Sequence, residues 1–246
     1  MSATTYPQDP SLPYWTTRYG IAAAVATDNI IARSLQTYGE WAEQETDLLS
    51  SLVDEGHVVL EFGAEYAAHA LWMSRAVGPQ GQVHLVEPRR LRFQQSCATI
   101  ALNGLGNVFT HAVWLGRSSG PHILNTDGGP GESVRGLTLD SLKLDALDLL
   151  KINEPNAIVD LLAGGAETVK AHRPLIYARL SGVEQARPEV EAIKVLGYRV
   201  WSHTPYMVNR ENHAGDAGNL FPGTVHQNII AVPVEGKLDF PERQEL

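Results

Sequence analysis

Between His57 and Glu87 the chain reads HVVLEF-GAEYAAHALWMSRAV-GPQG-QVHLVE. Both ends of this segment are short runs rich in β-branched and aromatic residues, which are typical of buried strands. The middle part, over 66–77, has the apolar spacing of a helix, and Gly63 and Gly78 stand at its two breaks. The segment therefore predicts a β-α-β unit with two parallel strands.

The same alternation continues towards the C-terminus. A helix is predicted over 88–102 and a strand over 107–113, followed by strands over 147–152, 174–180, 198–203 and 226–232 and helices over 156–163 and 188–197. Strands separated by helices predict an α/β fold with a doubly wound, mostly parallel seven-stranded sheet.

Two further helices are predicted before the sheet, over 20–35 and 40–53. We therefore expect an N-terminal helical extension over 1–55, the sheet domain over 56–233 and a C-terminal tail over 234–246. The first 13 residues and the tail are the only stretches that we expect to be loose.

Composition narrows the classes of partner. With 246 residues, 43% of them apolar, the chain can bury one substantial core. A net charge of −9 without a Lys/Arg cluster argues against nucleic acid, and the uncharged run at 21–26 is far short of the roughly 20 residues of a membrane span. The single Cys97 favours a reducing compartment, so we expect a cytoplasmic protein that acts on a small molecule.

The strand ends carry the first functional signal. Glu61 and Gly63 close the first strand, and Glu87 closes the second. In a doubly wound sheet this spacing is typical of a nucleoside site, where glycine permits close approach and the second acid accepts ribose hydroxyls. A turn glycine and an exposed acid also occur in β-α-β units that bind nothing, so the pattern alone leaves both interpretations open.

The chain contains ordered blocks at 58–63, 77–83, Glu87-Pro88, 101–104, 137–142, 149–152, Arg173-Pro174 and 219–223. These blocks resemble those of the FkbM family of S-adenosylmethionine (SAM)-dependent methyltransferases, and the resemblance covers about residues 38–233. The resemblance implies a Rossmann-like class I methyltransferase fold. It also implies a SAM site that involves Glu61, Gly63, Glu65 and Glu87.

The first cofactor loop departs from that family's pattern. Where the family usually has Asp-x-Gly-Ala-Asn-x-Gly, this chain has EFGAEYA, so Ala67 replaces a glycine and Glu65 adds an acid near the expected methionine carboxylate. Two like charges 4 Å apart at an effective dielectric of 20 repel by about 4 kcal/mol, or roughly three decades of affinity. This departure argues for a divergent member with a degenerate SAM site.

A second departure follows the strand over 147–152. The family usually has Asp-x-Glu-Gly there, and this chain has Asn153-Glu154-Pro155. Asn153 cannot take a proton from a hydroxyl nucleophile, so ordinary O-methylation becomes doubtful. Arg179 also stands where the family frequently has an acid, and it could hold an anion.

The substrate side is predicted from two polar segments that resemble the family's. One contains Glu40, and the other is the loop that follows Trp201. We predict catalytic roles for His203, Glu154, Arg179 and Tyr206, with His203 or Glu154 handling the proton. Substrate contacts are predicted for Glu40, Arg89, Asn153, Asn209, Asn212 and His213.

The spacing of His203, His213 and His226 does not match zinc motifs, so no metal is expected. Three hypotheses remain. The first is SAM-independent chemistry such as intramolecular displacement, ring closure (for example of the aziridine type) or elimination, in natural-product biosynthesis and without a cofactor. The second is SAM-dependent O-methylation, and the third is a non-catalytic subunit. A homo-oligomer or a small partner protein is compatible with each of them.

Overall fold

The computed structural model describes residues 14–24, 29–126 and 129–246. Its strands are β1 (Tyr14–Thr17), β2 (Gly20–Ala23), β3 (Val58–Phe62), β4 (Gln82–Val86), β5 (Val108–His111), β6 (Trp114–Leu115), β7 (Gly120–Thr126), β8 (Gly129–Leu137), β9 (Leu149–Ile152), β10 (Leu175–Arg179), β11 (Tyr198–His203) and β12 (Asn228–Pro233). Its helices are α1 (Ile30–Tyr38), α2 (Glu43–Leu49), α3 (Ala70–Ala76), α4 (Arg90–Leu102), α5 (Ile158–Gly164), α6 (Ala166–His172) and α7 (Val183–Val195).

The central sheet has seven strands in the order β11-β12-β10-β9-β3-β4-β5. The five strands from β10 to β5 are parallel, and β12 runs antiparallel to both of its neighbours. From β3 the chain continues to β4 and β5 on one side and later to β9 and β10 on the other. The strand order thus reverses between β3 and β9, and a doubly wound sheet binds ligands at the carboxyl ends of its strands beside such a point.

Alternating side chains of β3 bury both faces of the sheet. Leu60 and Phe62 pack into a core cluster with Leu161 of α5, and Val59 packs on the opposite face in a cluster with Met73 of α3. This two-sided burial explains why β3 is a nearly continuous apolar run. Glu61 is the one charged residue in it.

The N-terminal extension is only partly helical. The predicted helix over 20–35 is wrong at its start, because Gly20–Ala23 pairs with β1 in a hairpin, and residues 25–28 lie outside the described part. The β2 backbone is held by Asn103, which exchanges hydrogen bonds of 2.9 and 2.6 Å with Ile21. Helix α1 begins only after Asn29, whose side chain caps it by accepting from the Ala32 amide.

Two features add detail to the predicted, mostly parallel sheet. The strand predicted over 226–232 is antiparallel, because the chain enters β12 from a loop at the carboxyl edge of the sheet and not through a helical crossover. Strands β6, β7 and β8 also form a separate sheet, ordered β6-β8-β7, that the sequence did not indicate.

The C-terminal tail packs on the edge of the central sheet. The amide of Ser202 donates to the carbonyl of Gln244, and the amide of Leu246 donates to that of Val200. Phe240 is buried against Trp201. No helix within the described ranges is long and apolar enough to cross a bilayer.

Candidate functional site

A group of five charged residues lies under the carboxyl ends of β3, β9 and β10; four of them are buried, and Arg179 is partly exposed. We call it the inner charge cluster: Glu45, Glu61, Glu65, Lys151 and Arg179. Lys151 Nζ lies 3.1 Å from Glu45 Oε2 and 3.3 Å from Glu61 Oε1. Arg179 lies 2.6 Å from Glu65 Oε1 and 3.2 Å from Glu45 Oε1. Each acid therefore has a cationic partner.

These pairings keep Glu45 and Glu65 ionised. Burial alone would raise the pKa of Glu45, but Lys151, Arg179 and a hydrogen bond from His226 outweigh it and hold that pKa well below its usual value. Burial likewise opposes the ionisation of Glu65, yet Arg179 and Lys151 lower its pKa to about 2. Both carboxylates are charged at neutral pH.

Glu65 is thus not the free acid that the sequence predicted beside the cofactor. Besides its ion pair with Arg179, it accepts a hydrogen bond of 2.7 Å from Trp41 Nε1. Arg179 in turn is occupied by Glu65 and Glu45 and does not present an open anion site. The predicted repulsion of a ligand carboxylate falls away, because the charge of Glu65 is compensated.

The loop after β3 has the backbone of a glycine-rich turn although it has few glycines. Glu65, Tyr66 and Ala67 have φ values of 44°, 63° and 66°, in the left-handed region that glycine adopts at little cost. Ala67 therefore keeps the backbone conformation that a glycine would allow there. Three such residues in succession store strain of order 1 kcal/mol each, a feature that clusters at ligand sites.

Gly63 and Asn153 join the ends of β3 and β9. A Cβ on Gly63, whose φ is +90°, would lie 3.0 Å from the amide nitrogen of Glu154, so this position requires glycine for packing. Asn153 Nδ2 donates to Glu61 Oε1 at 2.8 Å and to the carbonyl of Gly63 at 2.9 Å, and its Oδ1 accepts from Lys151. Asn153 is therefore occupied inside the protein and is not placed to contact substrate.

A second group of charges lies at the ends of β4 and β9, and we call it the strand-end triad: Glu87, Arg89 and Glu154. Arg89 donates to both oxygens of Glu154, at 2.7 and 2.6 Å, and approaches Glu87 Oε1 only to 3.4 Å. Glu154 and Arg89, which the sequence assigned to catalysis and substrate binding, are thus each other's main partners.

Glu87 keeps one oxygen available. Its Oε1 accepts from the backbone amide of Arg89 at 3.0 Å, whereas Oε2 has no hydrogen bond within the described residues. Burial raises the pKa of Glu87. A nearly buried carboxylate with a free oxygen at the end of the second strand is the acceptor that a ribose hydroxyl requires, so this part of the site fits the nucleoside half of SAM.

The structure adds a histidine that the sequence analysis did not select. His226 Nδ1 lies 2.7 Å from Glu45 Oε1. Because Glu45 is ionised, we assign the proton to Nδ1, which leaves Nε2 as an acceptor with no hydrogen bond in the described part of the chain. The two residues are 181 positions apart, so no local pattern could have paired them.

His203 lies away from the strand-end triad. It ends the edge strand β11, five strand positions from β4, which at about 4.8 Å per strand is about 24 Å. Its Nδ1 contacts the hydroxyl of Tyr177 at 2.8 Å, and burial, with Arg243 nearby, lowers its pKa to about 4. His203 and Glu87 therefore do not face the same ligand.

The predicted substrate loop divides into two parts. Tyr206 and Asn209 line a cavity of about 950 Å³, whose wall also includes Gln44 and Phe221. Asn212 instead donates to the carbonyls of Asn209 and Asp216 and so stabilises the loop itself.

Glu40 and His213 also hold structure together. Glu40 Oε2 accepts from Arg18 at 2.7 Å and from the backbone amide of His213 at 3.0 Å, and Glu40 is buried. It thereby connects the N-terminal hairpin to the loop. Neither residue lines the 950 Å³ cavity.

Glu61, Glu65 and His69 place their ligand atoms within 4.8 Å of one another, a spacing that a metal ion would allow. Lys151 and Arg179 already pair with the two acids, so a cation there would meet two positive charges. We assign no ion to this group, and the expected absence of a metal stays a prediction.

Known proteins identify the fold. No protein-family model and no curated protein sequence match the chain. Among solved structures, precorrin-6y C5,15-methyltransferase from Geobacter metallireducens has a TM-score of 0.52 at 14% identity and covers 89% of this chain and 92% of its own. A SAM-dependent O-methyltransferase from Thermotoga maritima has a TM-score of 0.52 at 17% identity, with 92% and 79% covered. This is the Rossmann-like class I methyltransferase fold.

The narrower family resemblance is not decided by these matches. Methyltransferase FkbM from Methylobacillus flagellatus has a TM-score of 0.53 at 11% identity, and the match covers 83% of this chain and 55% of that one. The match supports the methyltransferase fold. Membership in the FkbM family stays a prediction.

Proposed function

We propose that this protein is a SAM-dependent methyltransferase of the FkbM type that transfers a methyl group to a hydroxyl of a small molecule. The observation that carries this proposal is the free Oε2 of Glu87, which lies at the carboxyl end of β4 beside the β3 loop. The named methyltransferases among the matching structures favour this reaction over the cofactor-free chemistry that the loop departures suggested.

The remainder of the cofactor loop is compatible with this proposal. Glu65, the predicted obstacle, is neutralised by Arg179, and Ala67 keeps a glycine-like backbone. Glu87 would hold the ribose, and the turn at Gly63 would lie beside the methionine half. When bound, SAM supplies an electrophilic methyl group.

His226 is our candidate for the proton acceptor in such a reaction. Glu45 fixes its orientation, and Nε2 is the basic nitrogen. His226 lies two residues after Thr224, which lines the 950 Å³ cavity, and its ring packs against Trp41. We therefore assign the methyl acceptor to this cavity and the removal of its proton to His226.

A second candidate function is SAM-independent displacement or elimination within one substrate. The bidentate bond between Arg89 and Glu154 favours it, because it holds a guanidinium 3.4 Å from Glu87, the residue that would bind the ribose of SAM. The protein would then orient the nucleophile of the substrate against its own leaving group.

Calorimetric titration with SAM separates the two functions. We expect micromolar binding to the wild type and at least 10-fold weaker binding to Glu87→Ala, because the ribose loses its charged acceptor. Glu191→Ala, which removes an exposed acid from α7, is the matched control and should bind as the wild type does. Absence of binding at millimolar SAM would reject methyl transfer and support displacement.

The role of His226 has its own test. With an acceptor found by screening small alcohols and phenols for S-adenosylhomocysteine release, His226→Gln should lower kcat by about 10²- to 10⁴-fold. SAM affinity should remain unchanged. An unaltered kcat would assign the proton transfer to another group.

A further inference from the structure

A cavity of about 610 Å³ lies next to the strand-end triad, on its β5 side. One wall is formed by Pro88, which directly follows Glu87, and by Ala112, which follows β5. The first turn of α4 contributes Arg90 and Phe93, and β8 contributes Glu132 and Arg135, together with Gln94, Ser133 and Val134. Neither the proposed methyl donor nor its acceptor requires two arginines there.

The two arginines of this cavity are available to a ligand. Arg90 and Arg135 are exposed, and across residues 14–24, 29–126 and 129–246 their guanidinium groups have no hydrogen bond or ion pair. The one acid in the wall, Glu132, uses its Oε1 to accept from the backbone amide of Arg90 at 3.0 Å. The wall therefore has an excess of positive charge in a protein whose net charge is −9.

The geometry points to a binding site for the phosphate or sulfate ester group of a small molecule. Guanidinium groups bind such oxyanions through paired N–H donors, and two of them here line one concave surface. Phe93 gives the cavity an aromatic wall for a planar ring. Pro88 in the cavity wall directly follows Glu87 in the chain, so a ligand that reaches past Pro88 can also give a hydroxyl to Glu87 Oε2.

A phosphorylated nucleoside combines these three groups: the ring, the hydroxyl and the oxyanion. The oxyanion site is defined by Arg90 and Arg135 and not by the SAM loop, and its ligand shares only Glu87 with the proposed function. A failure to bind SAM would leave it intact.

Calorimetry with adenosine 3′-phosphate and with adenosine tests the site, and inorganic phosphate and inorganic sulfate serve as competitors. We expect the nucleotide to bind the wild type at least 10-fold more tightly than adenosine does. The double variant Arg90→Ala/Arg135→Ala should abolish this difference, and Glu132→Gln should increase it, because the competing carboxylate charge is removed. Stronger competition by phosphate assigns the site to phosphate esters, and stronger competition by sulfate assigns it to sulfate esters.

The matched control is Arg187→Ala/Lys194→Ala. It also removes two positive charges, but from α7, beside another cavity. It should leave the preference for the nucleotide unchanged. The proposal is overturned if the wild type binds the nucleotide no better than adenosine, or if both double variants lose affinity equally. Thermal melting of each variant confirms folding. Glu132→Gln tests the site independently of the two double variants.

Discussion

The inner charge cluster and the strand-end triad lie at the same edge of one sheet, yet they differ in how completely their charges are used. Glu45, Glu61 and Lys151 have no exposed side-chain area, and each has an oppositely charged partner in the cluster. In the triad, Arg89 is 27% exposed, and Glu87 retains an oxygen that has no partner in the described part of the chain. The contrast indicates that the cluster belongs to the folded core, whereas the triad can exchange an internal partner for a ligand.

The largest expected effect comes from breaking the inner charge cluster. Lys151→Met leaves Glu45 and Glu61 buried without their shared cation, and we expect it to lower the free energy of unfolding by about 3–5 kcal/mol. Urea denaturation followed by circular dichroism measures this. Lys194→Met, on the accessible surface of α7, should change stability by less than about 0.5 kcal/mol. Equal losses in the two variants would contradict a special role for the cluster.

Acid should weaken the folded protein in two stages. His84 and His203 are buried, and their pKa values are lowered to about 4, so the stability they contribute is complete above their usual pKa near 6.5 and is lost as pH falls towards 4. The pKa of Glu65 is lowered to about 2, so its contribution is lost below about pH 4.5, as the pH falls towards 2.

Urea denaturation at pH 7 and pH 5 isolates the first stage. We expect a loss of about 2 kcal/mol between these pH values in the wild type, and a smaller loss in His203→Gln, which removes one of the histidines whose pKa is lowered. A loss of the same size in the variant would show that His203 does not contribute.

The smallest effect on stability is expected in the strand-end triad. Arg89→Ala should lower the free energy of unfolding by about 1–2 kcal/mol, less than Lys151→Met, because the guanidinium is partly solvated. SAM should bind at least as tightly as to the wild type, since Glu87 is released. If stability falls as far as in Lys151→Met, the triad belongs to the folded core as the cluster does.

The sequence predicted the sheet well where the signal is local. Val58–Phe62, Gln82–Val86 and Tyr198–His203 each coincide with a predicted strand, because β-branched runs between turn residues define them. The prediction of a helix over Gly20–Ala23 is wrong. Its apolar spacing does not show that the segment pairs with β1 or that Asn103, about 80 residues away, holds its backbone. The direction of β12 likewise depends on the path of a loop and not on its own residues.

The site was predicted residue by residue but not as a set of partners. Glu87, Arg89 and Glu154 were all selected, yet the sequence could not show that Arg89 bonds to Glu154. Glu65 and Arg179 are 114 residues apart, so the charge compensation that changes the interpretation of the cofactor loop is purely tertiary. One signal in the sequence could have indicated the cluster. Lys151 lies inside the buried strand LLKI, and a lysine there requires a buried anion.

The C-terminal tail also determines how the protein behaves in solution. Without a covering segment, an edge strand such as β11 would expose backbone donors and acceptors that can pair with another chain. Residues 244–246 use some of these groups, and Phe240 covers Trp201. Removal of the tail would therefore uncover the edge of the sheet. The exposed strand β11 could then pair with strands of other molecules, and the protein would aggregate.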